Sequence, residues 1–186
     1  MIYYYNSNDS LCGFAVGRKL SDLILAHPKG SQPIVLLCIG TDRSTGDSLG
    51  PLIGYKLSRR RPRGITIYGT LDRPVHAINL VDTLLQIKEK HPGALIIAID
   101  ASLGIKSHIG YVTLGTGSLK PGVGVNKTTL PEAGDLFITG IVNFSGMLDN
   151  LLLQSTRLST VMRLADCISL GILNALLYKE QGLLQQ

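Results

Sequence analysis

Tryptophan is absent from this chain, and cysteine occurs only three times, at Cys12, Cys38 and Cys167. Three cysteines, odd in number and far apart, exclude a disulfide framework, and no pair has zinc-ribbon spacing. Cys38 lies inside the apolar run Ile34–Ile39, where a thiol reads as a small buried hydrophobe rather than a nucleophile. Aromatic residues are sparse, at 5%, and charged residues make up only 17%. That is too little charge for a disordered chain, while a 45% hydrophobic content supplies a sizeable core. No run reaches the roughly 20 apolar residues of a membrane-spanning helix. The start, Met1-Ile2-Tyr3-Tyr4-Tyr5-Asn6, lacks the basic-then-apolar pattern of a signal peptide. The expectation is a cytoplasmic protein with no membrane partner.

Acidic charge is in deficit, leaving a formal net charge of +5, much of it in Arg59-Arg60-Arg61-Pro62-Arg63. That run ends an expected helix, where cations favour the negative end of the dipole. Without interleaved aromatics or a nucleic-acid-reading motif, the composition points away from DNA or RNA as a partner.

What is present is a succession of apolar runs separated by glycine, which occurs 21 times. Ile34–Ile39 and Leu95–Ile99 are wholly apolar, the mark of strands buried on both faces. Further strands are expected over Gly64–Thr70, Ile109–Leu114 and Leu136–Val142. Residues 1–16 show no clear period and read as an irregular arm, followed by a short helix over Arg18–His27. A helix with proline in its first turn is expected over Pro51–Arg60. A second carries the stripe Ala77, Leu80, Val81, Leu84, Leu85 and Lys88. A long final helix carries Leu158, Val161, Leu164, Ala165, Ile168, Ile172, Ala175 and Leu176. Strands alternating with helices imply right-handed crossovers and a mostly parallel sheet of about five strands, covered on both faces in an α/β sandwich. We divide the chain into an arm and short helix, 1–32, packed on a single domain, 33–180.

In open α/β sheets ligands bind beyond the carboxyl ends of the strands, so the residues just after each strand are the ones to weigh. Asp100 ends the run Leu95–Ile99. It either bonds turn amides there, or burial beside another carboxylate makes it a proton donor near neutral pH. Asp47 stands where the cap of the helix near Pro51 belongs, yet its loop also returns it to the same mouth. Two carboxylates meeting there could share a proton and activate water, or hold a metal. His76 is expected at that mouth too, whereas His27, His91 and His108 look structural. Lys120–Lys127 is not a P-loop, though its glycines would let backbone amides approach a substrate, with Lys127 supplying charge. No Gly-x-Ser-x-Gly elbow surrounds Ser44, Ser48 or Ser102.

The segments Gly40–Pro51, Pro74–Ala77, Asp100–Gly104, Pro121–Lys127 and Gly140–Asn143 resemble those of the YyaC-type sporulation proteins, and the likeness runs from about Ile34 to Tyr178. That family is similar to the germination protease of bacterial spores and, more distantly, to the endopeptidases that mature nickel–iron hydrogenases. The resemblance implies a three-layer αβα sandwich of the phosphorylase/hydrolase type. It also implies an aspartate pair, carried here by Asp47 and Asp100, and a glycine loop matched by Pro121–Gly124. In the hydrogenase enzymes two acids and a later histidine hold the substrate's metal, but the loop at Asn126 and Lys127 has no histidine.

The function expected is an endopeptidase-type hydrolase of sporulation or germination, cytoplasmic within a spore-forming cell. Asp47, Asp100 and His76 would be catalytic, and Thr41, Asp42, Asn126 and Lys127 would bind the substrate. No cofactor and no tightly bound metal are expected. The partner is a protein or peptide substrate, with a homodimer as a further possibility. Two other classes compete: a non-catalytic peptide-binding or regulatory protein, and a metal-dependent maturation-type peptidase with His76 as third ligand.

Overall fold

Ile34 to Cys38 are buried without interruption and form strand β2, with apolar helices above and below them. The computed structural model describes residues 1–121, 130–146 and 149–183. Its sheet has six strands: β1 (Ile2–Asn6), β2 (Ile34–Cys38), β3 (Ile65–Tyr68), β4 (Leu95–Gly104), β5 (Tyr111–Thr116) and β6 (Leu136–Phe144). Their order across the sheet is β1-β5-β6-β4-β2-β3. The four strands from β6 to β3 are parallel, and β2 and β4 are direct neighbours, with Ile34 opposite Leu95 and Cys38 opposite Ile99. β5 and β1 continue the sheet antiparallel.

Alternation within the strands sorts the core into two layers. On one face Leu36, Cys38, Ile97 and Ile99 pack with α1 (Cys12–Ala26), α2 (Leu49–Arg60) and α5 (Leu158–Leu183). On the other, Val35, Leu37, Ile39 and Ala98 pack under Leu80 and Ile87 of α3 (Leu80–Lys90). The short helix α4 (Asp149–Gln154) lies beside β6. The α/β sandwich with helices on both faces is as the strand–helix alternation implied.

Four expectations are corrected. The irregular arm contains β1, and α1 begins at Cys12 rather than Arg18. β1 is an edge strand with alternate residues in water, so its Tyr-rich run has no apolar continuity to mark it. The stripe on α3 is rotated: Leu80 and Ile87 are buried while Val81 and Leu85 are 50% and 61% exposed. Ile87, left out of the stripe, fixes the phase by filling the space over β2.

β4 does not end at Asp100 but continues to Gly104, because β6 runs alongside and pairs with Ala101–Gly104. Finally, α5 is long and apolar enough over Leu158–Gln181 to cross a membrane by length and composition. Interspersed small and polar residues hid this from a search for unbroken apolar runs. The stripe Val161, Leu164, Ala165, Ile168, Ile172 and Ala175 is spent against α1 and the sheet.

Candidate active site

The unequal lengths of β2 and β4 create a notch. β2 stops at Cys38, and the next two amides close its end: Ile39 N–H donates to Ile99 O at 2.7 Å, and Gly40 N–H to Val75 O at 2.8 Å. β4 continues past this point, so Asp100, on the same face as Ala98, reaches the notch where its neighbour strand has turned away.

The turn depends on glycine. Gly40 has φ +139°, and a Cβ there would lie 2.0 Å from the carbonyl oxygen of Asp47. A Cβ on Gly50 would lie 2.0 Å from the carbonyl oxygen of Ile39. The loop therefore folds tightly onto the strand end, closed by Thr41 N–H to Asp47 O at 3.0 Å. Asp47 sits in a single 3₁₀ turn, Gly46–Ser48. The N-cap of α2 is Ser48, whose hydroxyl donates to Thr45 O at 2.7 Å, so the cap position expected for Asp47 belongs to its neighbour.

Asp100 is 7% exposed. Burial pushes its carboxyl well above the usual aspartate range, and the charge of Asp47 pushes in the same direction. The Ala101 N–H, 2.7 Å from Oδ1, opposes these effects by favouring the carboxylate. Asp100 thus combines both behaviours foreseen for it: it accepts a local amide, and it is held toward its protonated form.

His76 is placed by its own turn. Its N–H donates to Asn79 Oδ1 at 2.8 Å, and Asn79 Nδ2 donates to Pro74 O at 3.0 Å. The Ile78 N–H donates to His76 Nδ1 at 3.3 Å, so the neutral ring carries its proton on Nε2. The other three histidines have structural contacts. His91 bonds the Tyr68 hydroxyl, His108 packs between Tyr4 and Tyr111, and His27 accepts from Lys29 N–H.

Two adjoining cavities open at this notch. The smaller, about 330 Å³, is lined by Asp47, His76 and Asp100. The larger, about 740 Å³, lies on the other side of Asp47 and His76 and is lined by Thr41 and Asp42. The structure therefore brings Asp47, Asp100 and His76 to one cavity and sets Thr41 and Asp42 in the next. Asn126 and Lys127 lie outside the described residues, although Pro121 and Leu130 both line the smaller cavity.

Three further features mark the smaller cavity. Asp149, in the first turn of α4, lines it and accepts from Gly146 N–H at 2.7 Å. Lys120 lines it with its ammonium 3.2 Å from Glu132. Beside Asp100, Ser102 Oγ donates to Thr139 Oγ1 at 3.0 Å, and Thr139 and Thr113 share a hydrogen bond of 2.6 Å. Only strand register could reveal this hydroxyl row, since Thr139 lies opposite both Asp100 and Thr113. Among the described residues no three His, Cys, Asp or Glu side chains converge as a metal site. Cys38 is fully buried, and burial pushes its thiol up to about 12, which suits the packing role read for it.

Residues 4–171 match the family described as "Protein of unknown function (DUF1256)". The chain belongs to this family. The match takes in Asp47, His76 and Asp100. The chain is 50% identical over 141 residues to the "Uncharacterized protein YyaC" of Bacillus subtilis (strain 168), covering 76% of this chain and 68% of that protein. The resemblance to YyaC-type proteins drawn from the loops is thereby borne out. Among solved structures, the [NiFe] hydrogenase maturation protease HycI from Thermococcus kodakarensis KOD1 aligns with a TM-score of 0.49 and 17% identity. That alignment covers 83% of this chain and 98% of the other.

Proposed function

We propose that the protein is an endopeptidase-type hydrolase working through Asp47 and Asp100 on a protein of sporulation or germination, in the cytoplasm of a spore-forming cell. The observation that carries this reading is the buried Asp100 carboxyl, driven toward its protonated form by its surroundings and by Asp47, at the wall of a cavity. One carboxylate and one carboxylic acid are what general acid–base hydrolysis of an amide requires.

In this reading Asp47 takes a proton from the attacking water as the oxygen bonds to the peptide carbonyl carbon. Asp100 gives its proton to the carbonyl oxygen. As the tetrahedral centre collapses, Asp47 passes its proton to the amine nitrogen, the C–N bond breaks, and a hydroxyl of the new carboxyl group returns a proton to Asp100. His76, with its proton on Nε2, donates to the peptide carbonyl. Thr41 and Asp42, lining the larger cavity, hold the chain on one side of the scissile bond, and Asn126 and Lys127 complete the substrate-binding set.

Proteins extracted from sporulating cells, incubated with the purified chain and mapped for new termini by mass spectrometry, test the proposal. Wild type should create defined new termini that disappear in Asp47→Asn and Asp100→Asn. Loss of a single catalytic acid or base typically costs about 10²–10⁴-fold. Termini that persist unchanged in Asp100→Asn, or peptide binding without cleavage by wild type, would contradict it.

A further inference from the structure

The two edges of the sheet are protected very differently. β3 is preceded by Arg61, Pro62 and Arg63 and followed by Arg73, so charge and proline guard it. These are the devices by which proteins prevent unwanted strand pairing. β1 has none of them. From Met1 to Asn8 there is no charged side chain, no proline and no glycine. Its outward residues Ile2 and Tyr4 are 52% and 51% exposed, on a stretch of sheet that α3 does not reach.

We propose that β1 pairs antiparallel with β1 of a second copy about a twofold axis at Tyr4, joining two six-stranded sheets into one. A second copy fits because the edge is self-complementary in charge. Tyr3 and Tyr5 face the α1 side, packed on the core. Lys19 of α1 places its ammonium 4.6 Å from the Tyr3 ring, and the Tyr5 hydroxyl is raised by burial first, with Tyr3 and then Asp22 of α1 adding to it.

A twofold axis perpendicular to the sheet at Tyr4 sets Tyr3 opposite Tyr5 of the second copy and keeps the α1 sides together. Lys19 then approaches Asp22 of the other copy, and the reciprocal pair forms by symmetry. Within one chain these two side chains are only 3.6 Å apart, and Asp22 is 60% exposed, so both can turn to the new contact. The same operation sets Ile2 opposite Asn6 and Tyr4 opposite itself, with no like charges facing.

Sedimentation velocity of the full chain from low to high micromolar concentration tests this directly. Wild type should approach twice the 20.0 kDa chain mass as concentration rises. Tyr4→Lys and Tyr4→Glu each place like charges directly opposite across the axis, and each variant alone should sediment at the single-chain mass. An equimolar mixture of the two should recover the doubled mass, because Lys then faces Glu. Circular dichroism should show both variants folded, as expected for an exposed side chain. A wild type that stays single across the range, charged variants that stay paired, or a mixture that fails to recover pairing would each overturn the proposal. The site at Asp47 and Asp100 does not enter this test.

Discussion

A carboxyl that folding holds protonated gives stability a pH dependence of known sign. The folded pKa of Asp100 is raised above its unfolded value by burial and by Asp47. Its contribution is therefore fully present below the unfolded pKa and is lost as pH rises through the folded one. Across that window the unfolded chain has released the proton that the folded chain retains. Asn at this position keeps an oxygen for the Ala101 amide and cannot ionise. We predict that Asp100→Asn is no less stable than wild type at acid pH. Its advantage in Tm should then grow by several degrees toward neutral and alkaline pH. Thermal melts across pH check this, and a substantially lower Tm for Asp100→Asn at every pH would make Asp100 a structural residue. Gly40 shows the complementary case of a residue set by space. Its φ of +139° and the Asp47 carbonyl beside it leave no room for a side chain.

At the scale of elements, α3 carries the sharpest disagreement with its sequence pattern and so the clearest test. Leu80 is fully buried and Leu85 is 61% exposed. Leu80→Ala should cost about 2–5 kcal/mol, as truncation of a packed leucine does, while Leu85→Ala should stay within about 0.5 kcal/mol. Urea unfolding of the two variants decides between the phases, and similar losses would restore the stripe read from spacing. The central strands were legible because unbroken apolar runs have one reading, and α2 and α5 because proline or a long stripe marked them. β1 was not, since edge exposure breaks its pattern, nor was α4, too short for a period to show. The carboxyl half of β4 was hidden because Ala101-Ser102-Leu103-Gly104 reads as a turn until β6 is known to lie alongside.

For the molecule as a whole, the site is a product of assembly more than of any segment. Asp47, Asp100 and His76 were legible because ligands gather beyond strand ends, and each follows an apolar run or the loop after one. Asp149 and Thr139 were not, because they reach the cavity only through α4 and through cross-strand register. The raised carboxyl of Asp100 has the same origin. In an unfolded chain Asp100 is an ordinary aspartate, and only the closed sheet buries it and brings Asp47 near. Carbon-detected NMR titration of the Asp100 carboxyl, in the folded protein and in urea, measures this conversion without any knowledge of the substrate. Folded Asp100 should titrate well above its unfolded value, and lower in Asp47→Asn while remaining raised by burial. A folded Asp100 that titrates together with the unfolded one would contradict this.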